Sequence, residues 1–243
     1  MSFGVSRPVP SAAAFRAMAR ADAGLFTQRV NYPLAARLAR GAYAMGLRPT
    51  TLTIVNLVLG TAASILVIVT ASQVAARRPT AVLVALTVWV IWQLAYSLDC
   101  SDGQLARVAS TATPAGGRLD VLCDIVVQVS VVAAAAAVAA AATPGTPSWL
   151  VAVFAGSWMV NLVTSVMAKE GTGSSLITSR SVLVRLVKLV RDYGAVVTII
   201  AAAIAVRPAA MVWVMSFFSL INGGFLLASI TAAGRASVRQ LDV

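Results

Sequence analysis

The sequence predicts an all-α polytopic membrane protein, with six transmembrane helices preceded by an N-terminal interfacial amphipathic helix. Three observations predict it. Of the 243 residues 59% are hydrophobic and only 11% charged, where a soluble domain carries about 25% charged residues. The mean hydropathy is +0.87, and Ala and Val gather in long uncharged runs of the kind that cross roughly 30 Å of hydrocarbon as helices of about 20 residues. Finally, most of the basic charge lies between these runs rather than within them.

Residues 1–21 scatter Pro, Ser, Ala and Arg, without the continuous apolar stretch of a secretory signal peptide. They read as a disordered cytoplasmic tail. Over 22–46, Leu25, Phe26, Val30, Leu34, Leu38 and Tyr43 recur at roughly helical spacing among Arg29, Arg37 and Arg40, the mixture expected of a helix lying in the membrane interface. Each basic residue near anionic headgroups contributes on the order of 1 kcal/mol there, and Pro33 marks a start or a kink. Six apolar runs follow at 51–72, 80–99, 120–142, 147–168, 193–206 and 208–232. They make one six-helix domain over 47–235, followed by a cytoplasmic tail at 236–243. The fifth run is short, so its helix starts earlier on basic sequence or sits beside a thinned or tilted region.

Six spans put both termini on one side. With cytoplasmic termini, sixteen of the nineteen Lys and Arg face inside and only Arg77, Arg78 and Arg207 face outside, as the positive-inside rule requires. The expected location is therefore the inner or plasma membrane. The net charge of +11 is thereby explained by topology, and no nucleic-acid partner is expected without a basic stripe interleaved with aromatics. Cys100 and Cys123 are too few for a disulfide framework, and the absence of His excludes Cys/His metal spacing. Both read as small apolar fillers.

Only eight acids occur in the chain, and four of them, Asp99, Asp102, Asp120 and Asp124, fall within DCSDGQLARVASTATPAGGRLDVLCD. Spacings of three and four put each pair on one face of its own helix, and the Gly-, Thr- and Pro-rich stretch between them can fold the two helices face to face. Converging carboxylates repel and lose hydration near a membrane, at a cost of several kcal/mol unless a cation sits among them. Hard oxygen ligands select Mg²⁺, Mn²⁺ or Ca²⁺ over zinc, and Mg²⁺ typically bridges carboxylates to substrate phosphates. Four Asp can support a two-ion clamp for phosphoryl displacement. Gly103 and Gly116 remove side chains where a nucleotide or pyrophosphate must approach, and the planar fork of Arg107 suits a phosphate oxygen. The plainer alternatives are a snorkelling arginine for Arg107 and a simple turn for Gly116.

This segment resembles the signature of the CDP-alcohol phosphatidyltransferase family: two Asp then Gly, Ala-Arg, a spacer, Gly, Asp and Asp. The match falls on Asp99, Asp102, Gly103, Ala106, Arg107, Gly116, Asp120 and Asp124. The six-span layout and RPTTLT at Arg48–Thr53 are also similar to the family. The resemblance implies that the four Asp ligate two Mg²⁺ or Mn²⁺ ions and that Asp124 is also the general base. It implies a CDP donor site at Thr50, Thr51, Leu52, Thr53, Gly103, Arg107, Thr113 and Gly116. Thr50, Thr51 and Thr53 equally fit caps of the first span. The implied reaction moves a phosphatidyl group from CDP-diacylglycerol to a soluble polyol phosphate with release of CMP, in phospholipid biosynthesis among membrane lipids. A soluble CDP-polyol donor and a glycerol-phosphate acceptor are alternatives within the family.

The basic stretch SRSVLVRLVKLVRDYG, with Arg180, Arg185, Lys188 and Arg191, reads either as an amphipathic surface helix or as an anion pocket for a phosphorylated acceptor. Arg191, at the mouth of the fifth span, is similar to an Arg in members that use inositol phosphate. Members making phosphatidylinositol phosphate carry a Ser-Tyr-x-Lys-Ala-Arg stretch after the fourth span, whereas here SVMAKEG places Lys169 one position late, a rotation of about 100° on a helix. The stretch FTQRVNYPLAARL resembles members that join inositol phosphate to CDP-inositol. Arg191, Lys169 and Arg180 are the expected acceptor contacts. The family and small-residue faces such as Ala133–Ala142 point to a homodimer. The rival class, a cation transporter using the Asp cluster, predicts further acids along a membrane pathway; the third, fourth and sixth runs hold little beyond Gln128, Asn161 and Asn222.

Overall fold

The computed structural model describes residues 8–20, 23–169 and 190–241, and the described residues are helical with no strand. Where a disordered tail was expected, Ala12–Ala17 forms a short helix, α1, capped by Ser11, whose Oγ accepts from the Ala14 amide at 3.3 Å. The expectation is corrected here because Phe15 is fully buried and meets Tyr43 edge-on at 5.9 Å. That contact anchors a segment whose composition alone suggested none.

A π-turn at Thr27–Asn31 runs straight into α2, Tyr32–Ala44. Ala35, Ala36, Ala39 and Ala42 are buried on α2, while Arg37 and Arg40 are exposed. The small residues let α2 approach the helix over Arg78–Val108 closely, and the Ser101 hydroxyl there donates to the Ala35 carbonyl at 3.0 Å. Helix α2 ends on Gly46 at φ +67, with the Leu47 amide reaching back to Ala42 at 2.9 Å. This left-handed closure favours glycine.

The six apolar runs each form a helix. They are α3 (Pro49–Ala76), α4 (Arg78–Val108), α5 (Pro114–Ala142), α6 (Ser148–Lys169), α7 (Tyr193–Val206) and α8 (Met211–Leu241). A single 3₁₀ turn, Pro208–Ala210, precedes α8. Among the described residues, four segments, containing α3, α4, α5 and α8, are long and apolar enough to cross a membrane. Two apolar helices, Ser148–Thr164 and Tyr193–Val206, are shorter. Exposed side chains such as Trp213 (76%) and Leu220 (72%) form an apolar surface suited to lipid rather than water.

Helices α4 and α5 run past the apolar boundaries read from sequence, so the turn between them shrinks to residues 109–113. Helix α5 can begin this early because Thr113 caps it and Pro114 fits its first turn. Helix α3 packs most extensively, against α4 and α5. At Gly60 a Cβ would stand 2.6 Å from a Val127 methyl, so glycine permits the α3–α5 approach. Across α3 and α4, the Trp92 indole donates to Ser64 at 3.2 Å. Helices α6 and α8 associate through a stacked Trp158–Phe218 pair at 4.8 Å and Phe154 edge-on to Phe218.

Candidate active site

The helical spacing of the acids brings three of the four together. Asp99 from α4 and Asp120 and Asp124 from α5 each offer an oxygen within 4.8 Å of the others. Asp102 stands outside that trio and is buried, with its Oδ2 accepting the Thr53 hydroxyl at 2.5 Å. Helix α3 serves the other α4 acid too, since Asn56 Nδ2 donates to Asp99 Oδ1 at 3.4 Å. Asn56 is 2% exposed. It was missed from sequence, although its place three residues after Thr53 in an apolar helix was the available signal.

The trio suits a hard divalent cation. Its ligands are carboxylate oxygens, and Asp120 Oδ1 is buried without a hydrogen-bond partner among the described residues. Such an orphaned buried acceptor is costly, and a cation would satisfy it.

The positions expected around a nucleotide donor fall into distinct groups. Thr50 and Thr51 are exposed at the start of α3, whereas Leu52 points inward and packs with Leu98 and Leu105. The N-cap of α3 is Arg48, with no side chain bonded as a cap, so the capping alternative for the three threonines is set aside. Thr113 caps α5 by accepting from the Gly116 amide at 3.0 Å. A Cβ on Gly116 would come 3.1 Å from that hydroxyl.

Arg107 is exposed, and its Nε donates to the Met18 carbonyl just after α1 at 2.9 Å. Its guanidinium lies back over Gly103, where a Cβ would stand 3.1–3.5 Å away. Gly103 thus makes room for the arginine as well as for any ligand.

On the opposite side Arg191 is half-buried in the turn before α7. Its Nη2 donates to Thr164 of α6 at 2.6 Å, and its guanidinium carbon lies 3.6 Å from the centroid of the Phe225 ring of α8. Nη1 is buried without a partner among the described residues. Burial lowers the Arg191 pKa to about 10, which leaves it cationic at neutral pH. Two residues on, Tyr193 meets Tyr96 of α4, one turn before Asp99, edge-on at 4.8 Å, so the start of α7 packs against the helix that carries Asp99. Lys169 ends α6 with its side chain outside the described residues, and Arg180 lies outside them altogether.

An all-helical fold with four helices apolar and long enough to cross a membrane, carrying a carboxylate trio that could hold a metal ion, is the class of protein these residues define. The family model for CDP-alcohol phosphatidyltransferase matches residues 47–231, and the chain belongs to that family. Its members transfer a phosphatidyl group from a CDP-linked alcohol. No curated protein matches the sequence closely enough to count as a relative.

Proposed function

We propose that this protein is a six-span enzyme of the inner or plasma membrane that transfers the phosphatidyl group of CDP-diacylglycerol to a hydroxyl of a soluble polyol phosphate, inositol phosphate being the favoured acceptor. The observation that carries the reading is the trio of Asp99, Asp120 and Asp124 within 4.8 Å, on the segment that bears the family signature. Asp99, Asp102, Asp120 and Asp124 would hold two Mg²⁺ or Mn²⁺ ions. When bound, such ions supply positive charge that neutralises phosphate oxygens and favours departure of CMP.

The protein's own groups account for the rest. The acceptor oxygen forms a bond to the phosphorus that carries diacylglycerol, the bond from that phosphorus to CMP breaks, and Asp124 takes the hydroxyl proton. Gly103, Arg107, Thr113, Gly116 and the Thr50–Thr53 turn would border the CDP moiety. Arg107 must release its Met18 contact, or use its Nη groups, to meet a phosphate. Arg191 would support the acceptor end, because a half-buried guanidinium whose Nη1 has no partner among the described residues is suited to a phosphate monoester; Lys169 and Arg180 would assist it. In this orientation both termini and the site face the cytoplasm, where a lipid donor and a soluble acceptor meet without either crossing the bilayer. The active form is a homodimer.

The test is CMP release by purified protein in lipid micelles with Mg²⁺, CDP-diacylglycerol and a panel of polyol phosphates, beside Asp124→Asn. Metal-dependent release with inositol phosphate, lost in the variant, is the expected result. Release only from CDP-polyol donors or onto glycerol phosphate would overturn the substrate assignment. No release with any donor and acceptor would favour cation binding without catalysis.

A further inference from the structure

The buried polar junction joining the N-terminal segment, α4 and α7 is not used by the chemistry above. Asp192 is 3% exposed, and both described hydrogen bonds to its carboxylate come from one residue. The Thr27 amide donates to Oδ2 at 3.0 Å and the Thr27 hydroxyl to Oδ1 at 2.6 Å. The Thr27 oxygen also lies 3.1 Å from the Tyr96 hydroxyl, one turn before Asp99. A buried carboxylate held by neutral donors is expensive to keep. Here it joins segments 165 residues apart in sequence.

The second half of the junction is Gln93. Its Oε1 accepts from Asn31 Nδ2 at 2.7 Å, while its Nε2 donates to the Gly194 carbonyl and to Thr198 Oγ1, both at 2.8 Å. The fit is close. A Cβ on Gly24 would stand 2.1 Å from Asp192 Oδ2, and one on Gly194 would stand 2.5 Å from Asn31 Oδ1. The π-turn presents Thr27 and Asn31 inward together, both at 1% exposure or less.

Arg191 precedes Asp192 directly. We propose that Asp192, clamped by Thr27, is a positioning residue that fixes the Arg191 turn for the phosphorylated acceptor, so that the N-terminal segment sets acceptor affinity without touching the donor. This rests on the reading of Arg191 given above. Without the clamp, the turn carrying Arg191 would lean on the arginine's own contacts to Thr164 and Phe225 and on the Gln93–Gly194 bond. The clamp ties it to the π-turn and, through the Thr27–Tyr96 contact, to α4, the helix that carries Asp99 and Asp102.

The experiment measures KM for inositol phosphate and for CDP-diacylglycerol, together with kcat, in Thr27→Val, Thr27→Ser and Gly24→Ala, each checked for folding by thermal unfolding in detergent. Loss of a hydrogen bond to a buried carboxylate predicts a roughly tenfold or larger rise in acceptor KM for Thr27→Val, with donor KM unchanged. Gly24→Ala, which crowds Asp192, should show the same split, and Thr27→Ser, which keeps the hydroxyl, should restore acceptor KM. Equal shifts in both KM values, no shift, or failure of serine to rescue would overturn the proposal. Amide hydrogen exchange at Thr27 tests the clamp separately from catalysis. Faster exchange in Asp192→Asn supports it and unchanged exchange overturns it, even if the wild-type protein released no CMP and the function reading itself had failed.

Discussion

The α3–α5 side of the site and the α6–α8 side are built on different principles. On the first, the acids come from two helices consecutive in sequence, at spacings that place each pair on one face, and α3 braces them through Thr53 and Asn56. Packing there is close enough that Gly60 leaves no room for a methyl group beside Val127. On the second, Arg191 sits in a turn and is held by Thr164 and Phe225 from two other helices. Those helices leave a groove of about 470 Å³ lined by Trp149, Val153, Ser219, Gly223 and Leu227. The difference teaches that a site needing fixed charge geometry is set by local helix periodicity. The surroundings of Arg191 are assembled from pieces distant in sequence, and under the proposed acceptor role of Arg191 exchange of one piece would change acceptor affinity and leave the chemistry in place.

The comparison can be broken at its strongest point first. Asp124→Asn keeps the side-chain shape but removes the proposed base, and CMP release should fall by about 10²–10⁴-fold with the protein still folded by size-exclusion chromatography. Full activity in that variant would remove the chemical role from the α5 acids. On the other side, Arg191→Lys should raise acceptor KM roughly tenfold to a hundredfold, the worth of about 1.5–3 kcal/mol in charged hydrogen bonds. Donor KM should stay put, and a shift in both would show that the two sides are not separate.

Smaller effects sharpen the contrast. Thr53→Val strips Asp102 of its hydroxyl partner and should raise the Mg²⁺ concentration for half-maximal activity about tenfold, as loss of a supporting group around a metal ligand commonly does. An unchanged Mg²⁺ titration would show that α3 does not brace the site. Least of all, packing should register in thermal unfolding. Gly60→Leu overpacks the α3–α5 contact and should cost about 1–3 kcal/mol. Gly223→Ala meets nothing within 4 Å and should raise stability by up to about 1 kcal/mol. Equal melting shifts for the two would mean that the sides are packed alike.

Much of the molecule is legible in the order of its amino acids. All six apolar runs are helices, and for the four long enough to cross a membrane a helix satisfies the backbone groups that lipid would leave unpaired; α7 spans the very residues, Tyr193–Val206, that its run marks. The acids are legible because four of eight cluster at helical spacing. Other features are not. Phe15 is one of several apolar residues scattered through the N-terminal segment, and nothing beside it in the chain points to Tyr43 as its contact. Gly103 reads as room for a ligand, and it also houses Arg107. Asp192 is only the neighbour of an arginine, because nothing near it in sequence names Thr27 as its partner.

By itself the sequence determined the helices, the family and the metal-type acid cluster. Each follows from short-range periodicity and from solvent preference, which are properties of neighbouring residues. Only the tertiary structure decided that Asp102 answers to Thr53, that Arg107 holds the end of α1, and that the N-terminal segment is clamped to the turn carrying Arg191. Those pairings depend on which buried donor meets which buried acceptor once the helices have packed, and that choice is made in space between residues up to 165 positions apart.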